Sequence, residues 1–173
     1  AVGVITLVPA LLLTRFPPFP KRLRDTSASG SVTSKPGMKT ALGMNAVAGA
    51  WQSFLMSYIP VVLSIAGNGD SSVGWLVGLA NGATIIGVWL TPHLRALSFG
   101  VQSSLAIGAT VAGLVGAALT AQVTLVALVF LVLSGCGAGI LQTAAPVIAS
   151  LASLAEDQGR ALVAIGLSRS GAL

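Results

Sequence analysis

Residues 123–153 read VTLVALVFLVLSGCGAGILQTAAPVIASLAS, 31 consecutive positions without an Asp, Glu, Lys or Arg. As an α-helix this run is about 46 Å long, more than the ~30 Å hydrocarbon core of a bilayer. A barrel strand would need only about ten residues and a strict alternation of apolar and polar positions. The run is too long and does not alternate, so it reads as a transmembrane helix.

Working outward, the same pattern repeats. Upstream, Ala121 and Gln122 separate this run from a second apolar run over 98–120. So short a connection forces two antiparallel neighbours. Thr91-Pro92-His93-Leu94-Arg95 precedes that run and closes a helix expected over 72–90, which Ser71 or Ser72 can cap. Gly67-Asn68-Gly69-Asp70 is a tight polar turn that ends a span expected over 41–66. Downstream, Glu156-Asp157-Gln158-Gly159 leads into a last segment over 160–173. Pro146 predicts a kink in the helix that contains it. At the other end, residues 1–16 read as the end of a helix, halted by Pro17, Pro18 and Pro20. Residues 17–40, rich in Ser, Thr, Gly and charge, form a loop between it and the bundle of 41–173. The expected fold is an all-α membrane protein, a polytopic bundle of transmembrane helices whose first and last helices, 1–16 and 160–173, are partial.

Composition supports this. The 173 residues are 54% hydrophobic and 8% charged, where a soluble domain carries about 25% charged residues. The net charge of +5 invites a nucleic-acid reading, but no aromatic interleaving accompanies the basic residues. They sit instead where a membrane protein places them. Lys21, Arg22, Arg24, Lys35 and Lys39 fall in the first loop, Arg95 in the third and Arg160 in the fifth, with Arg15 and Arg169 close to the same side. The loops at 67–72 and 120–122 carry none. Cytoplasmic loops collect Lys and Arg, so 17–40, 91–97 and 154–160 are expected in the cytoplasm, with the protein in the inner or plasma membrane.

The layout resembles the major facilitator superfamily of secondary transporters, whose two six-helix halves are joined by a long basic cytoplasmic loop. Residues 17–40 resemble that loop, the residues before it the sixth helix, and those after it helices seven to eleven. Gly78-Leu79-Ala80-Asn81-Gly82-Ala83-Thr84-Ile85-Ile86-Gly87, followed by Pro92-His93-Leu94-Arg95, is similar to the eighth helix and the loop after it. Pro146, then Gly159-Arg160-Ala161-Leu162 and Gly166, resembles the ten-to-eleven region. One departure is plain: the family's loop motif usually holds an acid before its arginine, and Thr91-Pro92-His93 does not. The resemblance implies transport of a small solute by alternating access, with the N-terminal half of the same protein and the lipid bilayer as partners. Export is slightly favoured over import. A transport-inactive sensor or scaffold of the same fold is the alternative. No Asp or Glu lies inside a complete span, so a proton-carrying carboxylate would come from elsewhere in the protein.

Among individual residues, Asn45 and Gln52, like Trp51 and Tyr58, are seven apart, which returns each pair to nearly the same helix angle. That face, with Asn81 at similar depth on the next helix, is the candidate substrate surface, because polar groups at mid-membrane must face the bundle or a wet cavity. Interhelical hydrogen bonding is the competing role for each. Gly78 with Gly82, and Gly135 with Gly139, are expected to serve close helix packing, together with Pro146 at its kink. Arg95, Arg160 and Arg169 are the charges of the cytoplasmic side, although Arg169 lies about 13 Å into its segment. There it either snorkels back or meets an acid or an anionic substrate. Glu156 and Asp157 read as a turn paired with Arg160. The lone Cys136 and the lone His93 offer no catalytic set and no metal-ligand spacing, so no enzyme activity, metal, cofactor or nucleic-acid partner is expected.

Single cysteines at Ser29 and Ser71, in a Cys136→Ala background, test the orientation on intact cells with a membrane-impermeant thiol reagent. Position 71 labels and position 29 does not; the reverse pattern overturns the topology.

Overall fold

The computed structural model describes residues 36–153 and 157–170. Residues 1–35, which hold the expected sixth-helix-like segment and most of the first loop, lie outside the described part, as do 154–156 and 171–173. Among the described residues there are helices and turns and no strand. Helix α1 is Pro36–Ser53, followed by a π-helical turn, Phe54–Tyr58, and α2, Ile59–Ile65. Then come α3, Asp70–Leu90, a 3₁₀ turn over Thr91–Ala96, and α4, Phe99–Leu119. The chain finishes with α5, Thr124–Ala152, and α6, Gln158–Ser170. Four helical stretches, Gly37–Ile65, Asp70–Leu94, Phe99–Leu119 and Thr124–Ala152, are long and apolar enough to cross a membrane.

The element ends follow local chemistry. The first helix begins at Pro36, five residues before the apolar run that marks it in the sequence. Proline suits a first helical turn, where its missing N–H would have had no partner. Met38 and Ala41 already face inward, fully buried. Gly69, rather than Ser71 or Ser72, stands at the start of α3, and Asp70 in the first turn meets the positive end of the helix dipole. Ser98 caps α4 by accepting from the Val101 N–H. After α2, Gly67 turns left-handed at φ 91°. Its N–H bonds the Ser64 carbonyl and that of Asn68 bonds the Leu63 carbonyl, the paired bonds of a Schellman ending.

The sequence predicts one unbroken helix over 41–66, and the structure departs from that at the π turn. Pro60 has no N–H to give the Met56 carbonyl, and its ring crowds that position. The helix widens just before it, with the Ile59 N–H reaching back to the Phe54 carbonyl. The inward residues shift spacing accordingly. They are Met38, Ala41, Met44, Ala48 and Trp51 before the turn, then Leu55, Ile59 and Leu63 at every fourth position. At Pro146, where a kink is expected, α5 continues as one helix.

Helix α5 is the centre of the bundle and packs against α1, α3, α4 and α6. Glycines set how near its neighbours come. A Cβ on Gly135 would overlap the Ala80 carbonyl oxygen of α3, one on Gly139 that of Thr84, and one on Gly87 of α3 that of Cys136. Across the other groove, Gly137 faces Thr110 and Ala106 of α4, while Gly113 and Gly116 of α4 face Phe130 and Ser134. Gly78 and Gly82 differ, since nothing lies within 4 Å of where their Cβ would stand. At one end of the bundle Asn68 ties two turns, donating to the Ala121 carbonyl and accepting from Thr124. At the other end Gly37 meets Ala152, and Met38, Ile148 and the flanking Leu94 share a core cluster.

Valine at position 139 would push against a backbone carbonyl that cannot swing aside. Gly139→Val should therefore cost about 1–3 kcal/mol, the usual range for overpacking. Gly82→Ala should leave stability unchanged. Thermal unfolding of both variants in detergent checks the contrast, and equal effects would refute it.

Candidate functional site

The midpoint of the Gly37–Ile65 span is Trp51. Its side chain is 1% exposed, and its indole N–H donates to the Ser134 hydroxyl at 3.1 Å. Ser134 in turn donates to the Leu131 carbonyl, 2.7 Å away. Trp51 thus points into the bundle and fixes α1 on α5. Tyr58 is 62% exposed and lies against Phe54, with ring centroids 5.1 Å apart. The structure does not bring Trp51 and Tyr58 to one face. Seven residues return to the same angle only in an uninterrupted α-helix, and the π turn lies between them.

Asn45 is also buried. Its amide donates to the Ile165 carbonyl at 2.6 Å, which joins α1 to α6. Gln52 behaves differently. Its amide donates to the Asn81 side-chain oxygen at 3.4 Å, across to α3. Asn81 donates back to the Val77 carbonyl, and the Thr84 hydroxyl donates to the Asn81 carbonyl. The Gln52 side-chain oxygen has no partner among the described residues, and no unpartnered polar side-chain atom there is fully buried. Gln52 itself is half-buried and stands one residue from the midpoint of its span. Beside it, Gly78 and Gly82 flank Asn81 and leave the backbone of α3 uncovered. Of the five candidate substrate residues, the structure pairs Gln52 with Asn81, uses Asn45 and Trp51 as ties inside the bundle, and turns Tyr58 outward.

The remaining candidates are distributed along the helices. Gly135, Gly139 and Pro146 all stand in α5, the two glycines against α3. Arg160 is on the first turn of α6 and faces Asp157 at 3.8 Å. Such an exposed pair contributes about 0–1 kcal/mol. Arg95 belongs to the 3₁₀ turn. Arg169 is not a loop residue: it stands in α6, half-buried, with its backbone against Gly49. His93 is exposed, with Nδ1 3.2 Å from the Trp89 carbonyl and its ring on Trp89. No group of three or more His, Cys, Asp or Glu among the described residues could hold a metal ion.

Sequence reasoning passed over Ser134 and Gly49, and it placed Asn68 in its turn without finding its partners. Ser134 could have been noticed as a lone hydroxyl in an apolar run. The partners of Asn68, at Ala121 and Thr124, are more than 50 positions away. No family profile, curated protein or solved structure matches this chain.

Trp51→Phe keeps the packing and loses one hydrogen bond, while Ser134 retains Leu131; the expected cost is about 0.6 kcal/mol. Trp51→Ala leaves a cavity and should cost about 3–5 kcal/mol. Tyr58→Ala should leave stability within about 0.5 kcal/mol of wild type. Unfolding curves of the purified protein that rank Tyr58→Ala above Trp51→Ala in damage would refute the assignment of Trp51 to the interior.

Proposed function

We propose that this chain is part of a secondary transporter that moves a small solute across a membrane by alternating access, of the kind found in the major facilitator superfamily. The observation that carries the reading is the half-buried Gln52–Asn81 pair beside the midpoint of the first span, whose Gln52 oxygen has no partner among the described residues. A carbonyl oxygen without a partner is costly in lipid. One kept in that position is accounted for by a water-lined path, where a solute can donate to it. Transporters place their substrate sites at this depth, between helices that interrupt their regular geometry. The π turn at Phe54–Tyr58 is such an interruption, one turn from Gln52. In this reading Asn45 and Trp51 hold the wall, and Gln52 with Asn81 touch the solute. The chain's partners are the bilayer, the solute and the N-terminal half of the same protein. The basic segments at 17–40, 91–97 and 154–160, which include the first residues of α1 and α6, face the cytoplasm.

The test uses cells that make the full-length protein, challenged with a panel of toxic small solutes. At least one solute should show a tolerance that depends on the protein. For that solute, Gln52→Ala and Asn81→Ala at matched membrane abundance should shift the dose–response about three- to tenfold, the worth of a neutral hydrogen bond. Tyr58→Ala should not. Unchanged curves for both amide variants would remove this face from the substrate path.

A further inference from the structure

Helix α6 runs parallel to α1 in a constant register of 120 positions: Asn45 bonds Ile165, and Gly49 faces Arg169. The second contact is a backbone approach. A Cβ on Gly49 would meet the Arg169 carbonyl oxygen at 2.8 Å and its Cγ at 3.2 Å. Gly49 lies two positions from the midpoint of the Gly37–Ile65 span, about 3 Å along the helix. Counted independently, Arg169 lies 11 residues after Gln158, about 17 Å into α6. Half the hydrocarbon thickness is about 15 Å. With α6 entering the hydrocarbon at Gln158, both measures put the backbone of Arg169 close to the bilayer centre.

A charge at that depth is costly and is kept where it has a partner. Among the described residues Arg169 has neither an ion pair nor a hydrogen bond from its side chain. The acids described, Asp70 and Asp157, stand at the ends of helices. The Cα–Cβ bond tilts toward the start of its helix, so the side chain can retreat by about one turn. It would still end inside the hydrocarbon depth, short of the lipid headgroups. Its Cγ lies along α1 at Gly49, and its half-buried state leaves part of it open. Half-buried Gln52, whose side-chain oxygen has no partner among the described residues, is on the next turn of the same helix.

We propose that Arg169 binds the carboxylate of a monoanionic organic solute, held in the groove between α1 and α6 beside Gln52. This rests on the transport reading above and names its substrate class. The planar guanidinium matches a carboxylate through two parallel N–H···O bonds. One cation balances one negative charge. A dianion such as phosphate would bring a second charge into the membrane without a second cation near it among the described residues. The Gln52 oxygen accepts from a donor elsewhere on the solute.

The full-length protein, purified in detergent, is titrated with benzoate, L-lactate and octanoate, and with benzamide as the uncharged counterpart of benzoate. Binding is read as a shift in melting temperature, and flux is read in proteoliposomes. At least one carboxylate should saturably raise the melting temperature of the wild type, and benzamide should not. Arg169→Gln should weaken that carboxylate about tenfold or more, in line with a charge-assisted bond, and Arg169→Lys should weaken it less. The unliganded Arg169→Gln protein should elute and melt like wild type. A wild type that none of the three carboxylates shifts overturns the proposal. So does a shift that survives in Arg169→Gln. An Arg169→Gln protein destabilised without probe, beside a wild type deaf to carboxylates, identifies a protein acid as the partner and also overturns it. Saturable flux of a neutral solute, sensitive to Gln52→Ala and indifferent to Arg169→Gln, would overturn the anion assignment alone. Carboxylate binding without flux of any solute would overturn transport and leave Arg169 as a binding residue.

Discussion

Backbone contact between α3 and α5 is the constraint on which the rest of the bundle depends. In lipid, burying apolar side chains against one another gains little, because the alternative environment is equally apolar. Association then has to come from van der Waals contact and weak polar contacts, and both require close approach. Gly135 and Gly139 on one helix and Gly87 on the other place Cα hydrogens against carbonyl oxygens of the partner. With α3 seated there, Asn81 and Thr84 come to the level of Gln52 and Trp51. The glycines of α4, at 113 and 116, do the same for the opposite groove of α5. A bundle built this way has its helix separations set by the absence of side chains, so a single added methyl group at these positions meets backbone.

The second determinant is Pro60. Its missing donor and its ring open the helix into the π turn, and the inward face changes from mostly three-residue steps to four-residue steps. Trp51, Leu55, Ile59 and Leu63 remain on the buried side, while Tyr58 and Phe54 turn out together. The same irregularity lies one turn from Gln52. Single π turns inside α-helices occur frequently at functional sites, and here one adjoins the candidate site.

The polar groups within the spans divide by how completely they are satisfied. Asn45, Trp51 and Ser134 are buried and bonded between helices, which fixes helix positions, while Thr110 is buried and bonded within its own helix. Asn68 satisfies two turns at one end through three bonds. Among the described residues, the Gln52 side-chain oxygen and the Arg169 guanidinium are left with unmet capacity, Gln52 one turn beyond the Gly49 that Arg169 packs against. Satisfied polar groups in a membrane protein explain architecture. Unsatisfied ones need water or a ligand, and here they supply the functional reading.

The sequence by itself determined that the chain is helical and carries four stretches able to cross a membrane. An apolar run of 31 residues without a charge has no other stable form in lipid, and hydrophobic length is a local property. Turns at 67–70 and 91–97 were legible because Gly, Asn and Pro act within a few residues of themselves. The glycine spacing at 135 and 139 was visible, but equal spacing at 78 and 82 looked the same, and only the partner helix separates a packed glycine from an open one. Likewise the seven-residue spacings that grouped Trp51 with Tyr58 assumed one regular helix, and the π turn lies between them. Whether an amide at mid-depth is a tie or an open site depends on what stands opposite it, Ile165 for Asn45 and Asn81 for Gln52. Those partners are 120 and 29 positions away. Spacing along one helix carries no information about them, because they are set by the distance at which two helices meet.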